Sequence, residues 1–162
     1  MTTALGPLEW LLRSAGVELV MAQTMPGPPE AVWEVITDWE HQGDWMLEAS
    51  DFTVTSARRS GVGVEADATI RMGGITTRDR VRVVAWEPAR LLAIEHRGWV
   101  QGRGEIHLTP LGPDLTHVFW REILRPPLGV VGLVGLWLFR PLLGHVFRRD
   151  LRVLASLVQA RA

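Results

Sequence analysis

Two acids stand out from the chain because their neighbours at every second position are mostly apolar. Asp79 falls in the series Ile75, Thr77, Asp79, Val81, Val83, and Glu122 falls in the series Val118, Trp120, Glu122. In a β-strand the side chains at i and i+2 point to the same face, so each carboxyl shares a face with large apolar groups. A carboxyl among apolar neighbours is desolvated, which raises its pKa and suits it to general acid or base work near neutral pH. The bland alternatives are Asp79 wet or Arg-paired at the open end of its strand, and Glu122 in a rim ion pair with Arg121 or Arg125.

Composition narrows the chemistry further. The 162 residues include no Cys, Tyr, Lys or Asn. Thiolate nucleophiles, disulfides, Cys-ligated metals, Schiff-base lysines and phenolic acids are therefore excluded. Codon usage in a GC-rich genome explains most of these absences, and the exclusion holds whatever the cause. Catalysis, if any, rests on Asp, Glu, His, Ser, Thr or Arg. His41, His107, His117 and His145 show no metal-ligand spacing and no H-E-x-x-H motif occurs, so neither a metal nor another cofactor is expected. His96 and Trp99 end a strand whose facing is undetermined, because Leu91, Leu92, Ala93 and Ile94 are apolar on both faces.

Eight Trp residues are available to the core or to a flat binding wall. Trp33, Trp45, Trp86, Trp99, Trp120 and Trp137 are the wall candidates. Gly102 and Gly104, flanking Arg103, mark a bulge or a close backbone approach. They are not a phosphate loop, since no strand-to-helix turn follows.

These residues need a scaffold. Val17–Met25 reads as a first strand, stopped by Pro26, Gly27, Pro28 and Pro29. Val32, Trp33, Ile36 and Trp39 then recur at helical spacing over Pro29–Trp39, and a second short helical piece follows around His41–Leu47. After Asp51 the period becomes two, with strands predicted over Phe52–Arg58, Val64–Met72, Ile75–Trp86, Leu91–Trp99, Gly104–Thr109 and Leu115–Leu124. Gly73-Gly74 forms a hairpin turn. The result is an antiparallel meander in which Arg78, Arg80 and Arg82 face water opposite Glu65 and Asp67, while Val64, Ala66, Ala68, Ile70 and Met72 face in.

The C-terminal stretch returns to helical spacing, with Leu143, Phe147, Leu151, Leu154 and Val158 on one stripe and Arg148, Arg149, Arg152 and Ser156 away from it. Pro141 marks its first turn or a kink, which leaves Leu128–Phe139 as a separate helix or an angled extension. Residues Leu8–Ser14 can form a short helix within a 1–16 extension that precedes one domain over 17–162.

A net charge of −1 and a pI of 6.5 give no general attraction to nucleic acid. Met1–Gly16 carries no secretory signal pattern, so a cytoplasmic protein is expected. Leu128–Phe147 approaches the length of a membrane span, but Arg140, Pro141 and His145 interrupt it, so core packing or a cavity lid is the expectation. Seven Arg follow Trp120 against Glu122 and Asp150 alone. That bias allows contact with an anionic membrane surface, although a solvated helix face is its commoner cause. Oligomeric state is open.

Pro28-Pro29-Glu30, Val32-Trp33, Asp38-Trp39-Glu40 and Trp45 resemble the opening "P-P-E-x-V-W … D … W" of the polyketide cyclase/dehydrase and lipid-transport type of the START/Bet v 1-like (SRPBCC) superfamily. Leu115-Thr116-His117-Val118-Phe119-Trp120 is similar to its "G-T-x-V-x-W" strand, with Leu115 where Gly is usual. The resemblance covers Val17 to about Val158. It implies an α+β helix-grip fold, a curved antiparallel sheet around a long C-terminal helix with an apolar cavity between them. It also implies that Val118, Trp120 and Glu122 lie on the concave face. The ligand wall is then expected from Trp33, Trp45, Ile70, Met72, Val81, Trp99, Val118, Trp120, Leu143 and Phe147, with Glu122 and Asp79 as candidate acids.

Three function classes follow in order. They are binding of a small hydrophobic molecule, polyketide cyclisation or dehydration through a pocket carboxylate, and a non-enzymatic assembly role. Cyclases of this fold often use pocket Tyr and Arg, and this chain has no Tyr. A pocket without an inward acid favours the carrier, a buried pocket carboxylate favours the enzyme, and a filled core favours the assembly protein.

Overall fold

The computed structural model describes residues 15–161. The helix expected over Leu8–Ser14 lies outside the described residues.

Seven strands form one antiparallel sheet in the order β1-β7-β6-β5-β4-β3-β2. They are β1 Val17–Pro26, β2 Ala49–Val54, β3 Glu65–Met72, β4 Ile75–Glu87, β5 Leu91–Arg97, β6 Gln101–Gly112 and β7 Leu115–Arg125. Strands β2 to β7 run as a meander, and β1 closes the order by pairing with β7 along its whole length. The turn between β3 and β4 is Gly73-Gly74, both at positive φ (58° and 80°), as a tight two-residue hairpin of this hand requires. On the outer face Arg80 meets Asp67 at 3.0 Å and Arg82 meets Glu65 at 3.7 Å, the pairing that the alternation predicts.

Two helical pieces connect β1 to β2. Helix α1, Pro29–Ile36, begins with Pro at its first turn, where no intrahelical N–H bond is lost. It ends sooner than the spacing suggests, because Thr37 turns its hydroxyl back onto the Trp33 carbonyl. Trp39–Asp44 is a separate 3-10 helix rather than a continuation of α1. Strand β2 starts at Ala49 instead of Phe52. Asp51 sits at φ 54° beside a register shift between Ser50 and Thr53, and this bulge breaks the alternation from which a strand is read.

Helix α2 is one continuous element, Gly129–Arg161, with Pro141 inside it. The apolar run before Pro141 is therefore not a separate helix. Leu143, Phe147, Leu151, Leu154 and Val158 are all buried, as their stripe predicts, and pack into one core with Leu19, Met21, Met25, Val118 and Trp120 of the sheet. Arg149 departs from its expected place in solvent. It is half-buried and spans Asp150 at 2.9 Å and Glu48 at 3.3 Å.

The fold is thus the helix-grip arrangement, α+β, with the sheet wrapped around the C-terminal helix. Its inner face is apolar from β1 to β4, except along one line of polar side chains.

Candidate functional site

That polar line crosses the concave face at the end of β4, β5 and β7. Asp79 (β4), His96 (β5) and Glu122 (β7) form a chain of contacts. His96 Nδ1 lies 2.5 Å from Asp79 Oδ2, and His96 Nε2 lies 2.6 Å from Glu122 Oε1. Register explains the first contact, since His96 pairs directly with Val81 and Asp79 is the next inward residue on β4. The second contact has to span β6, and neighbouring strands lie about 4.8 Å apart. It is possible because the inward positions of β6 are Gly104, opposite Glu122, and Gly102, opposite His96. A Cβ at Gly104 would sit 2.6 Å from Glu122 Oε2. The glycine leaves the bed in which the carboxylate lies.

The outer ends of the chain are also held. Asp79 Oδ1 accepts the Gly98 backbone N–H at 3.2 Å, and Glu122 Oε2 accepts the Trp120 indole N–H at 2.9 Å. In contrast, His96 Nε2 and Glu122 Oε1 are close but out of hydrogen-bond alignment, so both are buried without a hydrogen bond of their own. Burial alone would lower the His96 pKa. The Glu122 charge, the hydrogen bond to Asp79 and the Asp79 charge outweigh it and raise the pKa to about 10. At neutral pH His96 is an imidazolium held between Asp79 and Glu122.

These residues line a partly open cavity of about 390 Å³ between the sheet and α2. Its walls include Ile70, Met72, Trp120, Leu143 and Phe147, with Trp99, Leu128 and Phe139 at the mouth. Trp120 and Phe147 face each other across the wall with ring centroids 4.9 Å apart. Such a volume suits a small organic ligand.

The structure brings together Asp79 and Glu122 and six of the expected wall residues: Ile70, Met72, Trp99, Trp120, Leu143 and Phe147. Trp33, Trp45, Val81 and Val118 lie elsewhere. Trp33 packs edge-on to Trp86 at 5.0 Å, Trp45 supports Trp120 at 5.8 Å, and Val81 and Val118 are covered by core neighbours. Face alternation selects the side of the sheet, but the helix fills part of that side and leaves only part as cavity. Ile75 lines the cavity on the face that its alternation predicts, while remaining partly exposed beside the hairpin turn.

Sequence reasoning missed Glu48, whose carboxyl also lines the cavity. It is buried with Asp150 of α2, and neither Glu48 Oε1 nor Asp150 Oδ2 has a hydrogen-bond partner. Burial first, then the Asp150 charge, push Glu48 up to about 8, so Glu48 is mostly protonated at pH 7. Nothing at 45–48 shows alternation, since Glu48 precedes a bulged strand, and its partner lies about a hundred residues away. His96 was visible as a residue, but not its facing.

Among the described residues no cluster of His, Asp and Glu has metal-ligand geometry. The Asp79–His96–Glu122 chain can hold and redistribute protons, donate to a ligand oxygen from Nε2, and accept from a ligand at Glu122.

Comparison with known proteins agrees with this fold. TTHA0849 from Thermus thermophilus superposes with a TM-score of 0.77 at 19% identity over 90% of this chain and 99% of that one. The Zhui aromatase/cyclase from Streptomyces gives 0.68 at 18% identity over 91% and 93%. A START superfamily protein from Mycobacterium smegmatis gives 0.68 at 15% identity over 91% and 97%. At these identities the likeness shows the fold alone. No curated protein matches the chain by sequence. The family model described as polyketide cyclase / dehydrase and lipid transport matches residues 16–159, and the chain belongs to that family.

Proposed function

We propose that the protein binds a neutral, oxygenated hydrophobic molecule in this cavity and carries out acid-base chemistry on it, of the cyclisation or dehydration type. The observation that supports this reading is the Asp79–His96–Glu122 chain set into a mainly apolar wall. A buried ionised cluster is costly to desolvate and is rarely kept for stability, and here it faces the space a ligand would fill. The Nε2–H of His96 donates to a ligand carbonyl oxygen. Glu122 removes a proton from the carbon next to that carbonyl, and the enolate charge develops against the imidazolium. The proton now on Glu122 returns to a hydroxyl that leaves as water in a dehydration. Trp120, Phe147 and Met72 shape the bound chain so that the reacting carbons meet, which supplies part of the rate enhancement. Family membership and the likeness to an aromatase/cyclase support a substrate with repeated carbonyl groups.

A second reading is a carrier in which the same chain only anchors the ligand. It is favoured by Asp79, whose two oxygens are already occupied by Gly98 and His96. Turnover separates the two readings. The parent, Glu122→Gln, His96→Gln and Asp79→Ala are incubated with a poly-β-ketone thioester and products are followed by mass spectrometry. The enzyme reading expects a fall of about a hundredfold or more in Glu122→Gln with binding retained. Equal product from parent, variants and buffer leaves the carrier.

A further inference from the structure

The two halves of α2 are buried differently. Its C-terminal half is the core helix of the grip, whereas only 22% of its most apolar 18-residue stretch is buried. Val131 is 76% exposed, Leu138 66% and Trp137 62%, with Val130, Val134 and Leu142 exposed alongside them. At about 100° per residue these positions, with Leu128 and Phe139, span more than half of the helix circumference, and no charge interrupts them. Contiguous exposed apolar area of this kind marks a contact surface. A flat protein face covers one side of a helix, while a fluid apolar phase can surround more than half of it.

Charge selects the same partner. The one acid in α2 is Asp150, which is fully buried, so the helix exposes Arg140, Arg148, Arg152 and Arg161 with no carboxylate of its own in solvent. Trp99 and Trp137, both exposed, suit the headgroup level of a bilayer. Arg140 and Pro141, and the packing of residues 143–158 on the sheet, bar the helix from spanning a membrane as a straight rod. A helix lying in the interface meets every one of these conditions. Leu128, Phe139 and Trp99 belong both to this surface and to the cavity mouth.

We infer that the N-terminal half of α2 docks in the interfacial layer of an anionic membrane and opens the cavity directly onto the acyl phase, so that a hydrophobic ligand passes between bilayer and pocket without crossing water. The ligand route rests on the binding reading above, but the docking does not, and its test reads vesicle association rather than turnover.

The full chain is floated with phosphatidylcholine vesicles, with and without phosphatidylglycerol, and its Trp emission is followed. Expected results are flotation that strengthens with phosphatidylglycerol, a blue shift, and at least a tenfold loss of association in the double variant Val131→Glu, Leu138→Glu. Both sites are exposed, so that variant should keep the parent melting temperature. In Arg148→Ala, Arg152→Ala the phosphatidylglycerol dependence should shrink. Absence of flotation overturns the inference, as does flotation unchanged in the double glutamate variant. A parent that is dimeric by light scattering, and monomeric in that variant, also overturns it by assigning the face to a second copy.

Discussion

His96 keeps its proton because two carboxylates flank it, and this makes the site a source of pH-dependent stability. Its pKa is raised from 6.5 to about 10, so between those values the folded state binds a proton that the unfolded chain releases. The stabilisation is therefore complete below about pH 6.5 and is lost as pH rises toward 10. Glu48, raised from 4.5 to about 8 by burial and by Asp150, has the same sign, with its loss running from pH 4.5 to about 8. Thermal melts of the parent should fall from pH 6.5 to 9.5, and Glu48→Gln should be more stable than the parent at pH 9. A melting temperature that climbs across that range would contradict both assignments. Gly104 belongs to the same scale. Gly104→Val places carbon where the Glu122 carboxylate now lies, so the His96 pKa read by NMR should drop toward 6.5, with an overpacking cost of about 1–3 kcal/mol.

Among the elements, α2 does two jobs with two faces. Its C-terminal stripe closes the grip, and there Phe147 is buried against Trp120 while Arg148, one position on, is exposed. Phe147→Asp should cost about 3–5 kcal/mol by removing an aromatic and placing a charge in the core. Arg148→Ala should stay within about 0.5 kcal/mol. Urea melts of the two variants check this pair, and similar midpoints would mean that the stripe is assigned to the wrong face. Strand β6 also serves the site by what it lacks, since its inward glycines let β7 reach β5. Helix α1 and the 3-10 segment act as a plug at the far end, where Trp33, Trp39 and Trp86 cluster away from the cavity.

For the whole molecule, the cavity is the space left where the sheet curves away from α2. A neutral apolar probe such as N-phenylnaphthylamine should enter it and raise the melting temperature, since at about a hundredfold excess over Kd a ligand adds roughly 2.7 kcal/mol. Met72→Trp fills the wall from a half-buried position. It should weaken probe binding at least tenfold while leaving the melting temperature within a few degrees. Probe binding unchanged by this variant would place the ligand outside the cavity.

Much of the architecture was legible from residue order. The alternation from Val64 to Val83, the paired glycines at 73–74 and the 143–158 stripe each encode a local period, and a period survives any tertiary context that buries one face. They determined the strands, one hairpin, the core side of the helix and the inward facing of Asp79. The composition alone excluded thiol, amine and phenol chemistry. Where both faces are apolar, as at Leu91–Ile94, the period vanishes and with it the facing of His96. Only the folded sheet decides that His96 stands between Asp79 and Glu122, because those carboxyls come from strands 17 and 26 residues away in sequence. The meeting of Glu48 with Asp150, and the exposure of 128–142 beside a buried 143–158, are equally tertiary. Apolar residues at helical spacing say that a helix can bury a face, whereas the length and curvature of the sheet decide how much of that helix finds something to bury it against.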